Sequence, residues 1–256
     1  MTKGFAIRTV LLLVVAAAAG CATPPPATDP DAVAEFKANN DPVEPMNRQL
    51  YAVHDAIDTA VIAPVARTWR DDVPDWVRQH IGDFMENAGS PTRLANDTMQ
   101  AKPRRAGDTL MRFLVNTTVG LGGVFDVATD LGYPAHTTDF GITLGMAGVG
   151  TGPYLFIPVM GPSDVRDVTT IGADVVMSPL TWVDVPTAVA AFNYGRGVVS
   201  AVNTRSDLLD TVADVKRTAL DPYASFRSLY LQHRQSAIDA TRADDRATVP
   251  AWFRTP

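Results

Sequence analysis

Few residues in this chain could do covalent chemistry. There is one cysteine, Cys21, and there are four scattered histidines, His54, His80, His136 and His233. A lone cysteine cannot form an internal disulfide, and with no partner ligands nearby it is a poor metal site. Isolated histidines read as surface or core residues before they read as ligands. No Gly-x-Ser-x-Gly turn presents a nucleophile; Ser90, in Ala88-Gly89-Ser90-Pro91, reads as a helix start. There is no His-Glu-x-x-His and no phosphate-binding Gly-Lys-Ser/Thr loop. Gly148-Val149-Gly150-Thr151-Gly152 is superficially like a dinucleotide loop, but Pro153 stands where a third glycine is needed. Asp71-Asp72, before Val73-Pro74, read as helix-capping residues. The expectation is a protein that is not an enzyme and that has no cofactor and no metal.

Cys21 is explained by its position. Lys3 and Arg8 form a basic start, Val10–Ala19 is an apolar run of ten residues, and Ala18-Ala19-Gly20-Cys21 follows. A bilayer crossing needs about 20 apolar residues. The shorter run fits the core of an export signal. Small residues before a cysteine resemble the bacterial lipobox, in which the thiol is lipidated and the chain is cut before it. Residues 1–20 therefore read as a lipoprotein signal peptide and Cys21 as the lipidation site. Ala22 is not the Asp of an inner-membrane retention signal, which favours the outer membrane. Several acyl chains would anchor firmly. Residues 21–40, with Pro24-Pro25-Pro26, read as a stiff, extended tether.

The formal charge is −6, and removing Lys3 and Arg8 takes it to −8. That balance argues against sequence-independent nucleic-acid binding, and no polybasic run is present to grip anionic headgroups. At 46% apolar and 20% charged, the chain can bury a core, but its surface cannot be densely charged. Eighteen of the 22 basic residues are Arg, a bias that suits genome composition or interfacial arginines.

The body, residues 41–240, reads mainly as helix. Apolar residues recur at helical spacing in 46–63, which Pro64 punctuates, and in 74–88, 104–121, 164–177 and 187–215. A last helix, 222–240, opens with Asp221 as N-cap and Pro222 at its first position. Residues 142–162 carry no charge, but their many Gly and Pro residues would break a membrane-spanning helix. Ile142–Ala147 and Pro153–Pro158 read instead as the arms of a hairpin around Gly148–Gly152. Residues 241–256 read as a flexible tail with an isolated Trp252-Phe253 pair.

Several stretches, in order, resemble the MlaA (VacJ) lipoprotein family. They are Asp41-Pro42-Val43-Glu44-Pro45-Met46-Asn47-Arg48; Pro64-Val65-Ala66 with Trp69-Arg70-Asp71; Arg112-Phe113-Leu114-Val115-Asn116-Thr117-Thr118-Val119-Gly120-Leu121-Gly122-Gly123; Phe125-Asp126-Val127-Ala128; Asp139-Phe140-Gly141-Ile142-Thr143-Leu144-Gly145; Gly148-Val149-Gly150 and Gly152-Pro153-Tyr154; Arg166-Asp167; Asn203-Thr204-Arg205 with Leu208-Leu209-Asp210; and Asp221-Pro222-Tyr223. The similarity covers about residues 41–238. It implies a ring of amphipathic helices with a short Gly-rich hairpin, lying in the periplasmic leaflet of the outer membrane around an amphipathic channel. The implied role is to draw mislocalised glycerophospholipids from the outer leaflet and hand them to a periplasmic lipid-binding carrier. A trimeric outer-membrane porin is the implied neighbour, and an ATP-driven inner-membrane transporter the implied source of direction.

By its spacing of nine residues before Arg205, Arg196 matches a position where family members can carry a cation near the channel. A cation there could attract the lipid phosphate. An ordinary exposed helical arginine is the competing reading. Leu144, Met146, Tyr154 and Phe156 of the hairpin are candidates for shaping the channel mouth, with simple core packing as the alternative. Two further functions stay open: a phospholipid hydrolase, which would need a nucleophile and base, and a porin-binding structural lipoprotein without a transport role of its own.

Overall fold

The computed structural model describes residues 22–178, 181 and 186–243. Cys21, the leader before it and the Trp252-Phe253 pair lie outside these residues. The fold is mainly α. Helix α1 (Pro30–Asn39) starts at Asp29, whose side chain accepts from the Ala32 N–H, and stops at left-handed Asn40. The second half of the expected extended tether is thus helical: an N-cap, a first-position proline and Asn40 supply a complete set of start and stop signals.

Helix α2 (Glu44–Ile57) passes through a π-turn (Asp58–Ile62) into α3 (Ala63–Asp72). Pro64 does not end a helix, because it sits in the first turn of α3. The Ala63 N–H already reaches back five residues to the Asp58 carbonyl, so the ladder is widened where proline has no N–H to give. Asp71 and Asp72 are the last residues of α3 and do not cap the next helix. Helix α4 (Asp75–Met99) continues through Ser90 and Pro91, so Ser90 is mid-helix rather than at a start. Helix α5 (Pro103–Thr118) and the short α6 (Val127–Asp130) follow.

The hairpin lies further along the chain than its sequence suggested. Phe140–Met146 is helix α7, capped by Asp139, which accepts from the Ile142 N–H at 2.8 Å. The two strands are β1 (Tyr154–Ile157) and β2 (Gly161–Asp164), antiparallel, with Tyr154 opposite Asp164 and Ile157 opposite Gly161. A short apolar run does not reveal its own period, and the cap at Asp139 decides for helix. Val159, at the turn, has φ +73°, and its N–H donates to His54 Nδ1 at 3.0 Å. Burial keeps His54 below its ordinary range, which leaves that nitrogen free to accept. Helices α8 (Val165–Met177), α9 (Pro186–Asp207), α10 (Leu209–Thr218) and α11 (Pro222–Ala243) complete the chain. The helix expected over 187–215 is broken at Leu208. Asp221 does cap α11, accepting from the Ala224 N–H.

Packing closes a circuit. From α2 it runs through the π-turn and α3 to α9, α4, α7 and α11, then through β2 and β1 back to α2. The start of α2 and the start of α11 meet at a polar joint. Asn47 is fully buried and donates to Asp41 and to the Tyr154 carbonyl, while accepting from the Phe156 N–H. Asp41 also accepts from Tyr223 and, at 2.8 Å, from Arg227; Arg48 bonds Asp221 at 2.6 Å. Tyr51, Tyr154, Phe156 and Tyr223 pack beside this joint edge to face.

Replacing Asn47 by Leu strands a carboxylate oxygen, a carbonyl and an N–H at once. A loss of about 3 kcal/mol is expected from burying such unpaired groups, measured by denaturant unfolding in detergent. A change below about 0.5 kcal/mol would show that the joint does not hold the circuit closed.

Candidate functional site

Helices α4 and α5 face each other with their polar sides. On α5, Arg105, Asp108, Thr109, Arg112 and Asn116 recur at steps of three and four and are all buried. Leu110, Met111 and Leu114 on its other side are exposed. On α4 the buried residues are Asn87, Ser90, Asn96 and Asp97, while Trp76 and Met99 are exposed. The same inversion holds throughout. Among the described residues ten apolar side chains are buried, against twenty-two polar or charged ones, and twenty-three large apolar side chains are exposed. Soluble domains rarely turn that much apolar surface outward.

The interior charges are specifically paired. Arg112 donates to Thr129 at 2.8 Å, to the Tyr133 carbonyl at 2.6 Å and to Asp126 at 2.8 Å. Asn116 donates to Asp126, and its carbonyl accepts from the Ala128 N–H. Burial works against charge at Asp126, but bonds from Thr129, Arg112 and Asn116 outweigh it and hold the carboxyl below its usual range. Asn87 donates across from α4 to Thr117 and to the Gly122 carbonyl. Gly123 must be glycine here: it has φ +98°, and a Cβ would lie 2.4 Å from that of Asn87. These groups surround a polar cavity of about 10 Å³, the size of one water, lined by Asp83, Glu86, Asn87, Ser90, Arg112, Asn116 and Asp126. Further along, Asp97 bonds Thr109 at 2.6 Å and His136 at 2.9 Å. Arg205 and Lys216 both bond Asp58 in the π-turn, at 2.7 and 3.1 Å.

The candidates named from sequence fall in different places. Arg196 is half-buried on α9, with Nη1 3.7 Å from the point a Cβ on Gly89 of α4 would occupy. Leu144 and Met146 are partly buried on α7 and belong to no strand. Tyr154 and Phe156 are buried in the aromatic cluster beside Tyr223, where they pack a core. Their alternation in β1 signals one buried face, but not what it is buried against. The buried polar faces of α4 and α5 were missed, although Arg105, Asp108, Thr109, Arg112 and Asn116 already repeat at helical spacing. Among the described residues no three His, Cys, Asp or Glu are placed to hold a metal ion, and no helix is long and apolar enough to cross a membrane.

A closed circuit of amphipathic helices, polar within and apolar without, defines a protein built to lie against lipid. The chain belongs to the MlaA lipoprotein family, whose model matches residues 39–237. It is 33% identical over 200 residues to the intermembrane phospholipid transport system lipoprotein MlaA of Escherichia coli (strain K12), covering 77% of each chain. It is 31% identical over 223 residues to the protein of that name from Haemophilus influenzae, covering 84% of this chain and 86% of that one. An uncharacterised Rickettsia bellii protein is 33% identical over 202 residues, covering 77% and 76%. A solved structure described as "Structural basis for maintenance of bacterial outer membrane lipid asymmetry" superposes with a TM-score of 0.69 at 32% identity, covering 77% of this chain and 98% of that chain.

The depressed Asp126 carboxyl makes a pH prediction. A carboxyl with a lowered folded pKa stabilises the fold above its unfolded pKa, and that contribution is lost as pH falls through the folded value. Asp126→Asn is therefore expected to be less stable than wild type at pH 7, with the difference shrinking as pH drops below about 4, where free carboxyls protonate. Melting temperatures against pH read this directly; a gap independent of pH would contradict it.

Proposed function

We propose that this chain draws glycerophospholipids from the outer leaflet of the outer membrane and passes them through the ring to a periplasmic lipid-binding carrier, and so maintains the asymmetry of that membrane. It is anchored through a lipidated Cys21, lies in the periplasmic leaflet, neighbours a trimeric porin and catalyses no reaction.

The inverted packing carries this reading. An apolar exterior on helices too short or too polar to cross suits a body that lies in one leaflet. A polar interior gives a headgroup somewhere to go. The benefit to the lipid is large: about 30 methylenes at about 0.8 kcal/mol each would cost on the order of 20 kcal/mol to expose to water. A sheltered route removes most of that barrier. It does not set a direction, so an energy-coupled partner must pull the lipid onward. The Escherichia coli and Haemophilus influenzae relatives are intermembrane phospholipid transport system lipoproteins, which supports transport between membranes.

Protein purified in mild detergent is expected to retain phospholipid near one molecule per chain after washing, read by mass spectrometry of the extract. Arg196→Asp is expected to retain several-fold less, because an acid at that place repels the phosphate. Protein that is folded but free of lipid would favour a scaffold; lysophospholipid accumulating on incubation would favour a hydrolase.

A further inference from the structure

The segment before α2 does not run straight out from the ring; it returns to it. The Ala22 N–H donates to the Pro42 carbonyl at 2.7 Å, across twenty positions of chain. Between these ends the chain goes out and comes back. The outgoing arm, Ala22–Pro26, contains Pro24-Pro25-Pro26. At the polyproline rise of about 3.1 Å per residue it spans about 15 Å. The Asp29 N–H then closes a turn on the Pro26 carbonyl at 3.0 Å. Helix α1 (Pro30–Asn39) is the return, and its ten residues also rise about 15 Å, at about 1.5 Å each. Arms of matching length let the two ends meet.

The returning end is fastened to the ring. Asn40, left-handed at the end of α1, donates from Nδ2 to the Gly152 carbonyl at 2.5 Å, and its own carbonyl accepts from the Tyr154 N–H at 2.8 Å. Asp41 follows inside the polar joint, bonded to Asn47 and Arg227. Ala32, Val33 and Phe36 are half-buried along one face of α1, while Lys37 is exposed. The family model begins at residue 39, so α1 is an addition to the ring that all of the matched residues follow.

We infer that residues 22–42 form a closed loop that clamps the lipid anchor to the start of α2 and so holds the ring at the membrane surface. This rests on the reading of Cys21 as the lipidated residue, which lies outside the described residues and is bonded directly to Ala22. Extended, residues 22–41 would reach about 66 Å at about 3.3 Å per residue. That exceeds the whole thickness of a bilayer with its headgroups, about 40–45 Å, and such a leash would let the ring leave the leaflet. With Ala22 bonded to Pro42, the acylated residue is held one residue from the polar joint. The acyl chains then place the joint of α2, β1 and α11 at headgroup level, and the length of the intervening chain contributes no reach.

The test is disulfide trapping in the purified, full-length lipoprotein in mild detergent. Cys21 is the only natural cysteine and its thiol is consumed by lipidation in this reading. The Ala22–Pro42 hydrogen bond puts the Cα atoms of Ala22 and Val43 within about 7 Å, the reach of a disulfide. Lys37 is the one Lys or Arg between them, so a lysine-specific protease cuts the loop there. In the Ala22→Cys, Val43→Cys variant, most of the acylated fragment is expected to stay joined to the body after the cut and to leave on reduction. Thr28→Cys with Val43→Cys, which pairs the far end of the loop, is expected to trap at least tenfold less. Equal trapping in both variants, or none in either, would show a flexible leash and overturn the clamp. As a second measurement, replacing Thr23–Asn39 by Gly-Gly keeps both ends and is expected to leave clearance of outer-leaflet phospholipid within about twofold of wild type. Loss of clearance on that replacement, with the shortened chain still folded and acylated, would show that length is needed and also overturn the clamp. An unmodified Cys21 in the released fragment would remove the anchor itself, and this inference with it.

Discussion

A charged group taken out of water must meet its partner within the protein, and this ring depends on that constraint. In an ordinary domain, apolar side chains collapse inward and polar groups are added where they can be satisfied. Here most of the apolar surface faces outward, and against lipid it gains little by being buried in protein. What selects one arrangement of the helices is then the set of interior bonds. Several joints of the circuit hold them: Asp41 with Tyr223 and Arg227 between the segment before α2 and α11, Asp58 with Arg205 and Lys216 between the π-turn and α9–α10, and Asp139 and Asp167 with Arg234 between α7, α8 and α11. Breaking one partner of such a pair costs more than forming the pair gains, so the fold is specified by what it would lose.

The same economy shapes the loop after α5. Gly120–Gly123 turns back tightly because Asn87, Asn116 and Asp126 grip its backbone and the first turn of α6. A rigid loop there keeps Arg112 in place, and Arg112 forms one wall of the cavity beside Glu86. Paired arginines thus build the frame.

Much of this was legible in the sequence, for identifiable reasons. Asp221-Pro222 marked the start of α11, because a capping carboxylate and a proline without an N–H have few other uses together. The ordered motifs marked the family. The motif residues proved to be largely joints: Asn47, Arg48, Arg205 and Tyr223 bind other parts of the chain. What could not be read was the sign of the amphipathicity. Leu110 and Leu114 lie on one side of α5 and Arg105, Arg112 and Asn116 on another, but periodicity does not say which side is inside. The hairpin was misplaced for a related reason, since Ile142–Met146 and Tyr154–Ile157 are both short and apolar and only the cap at Asp139 separates helix from strand. Tyr154 and Phe156, offered as channel residues, became core because β1 packs against α2.

Outer-leaflet phospholipid in cells lacking this protein tests the central claim most directly, with add-back of wild type and of Cys21→Ala. Lipid removal by an anchored ring predicts that phospholipid accumulates at the cell surface without the protein, that wild type clears it, and that the unanchored variant clears it incompletely. An unchanged outer leaflet in the deleted cells would contradict that claim and leave a ring that binds its neighbours without moving lipid.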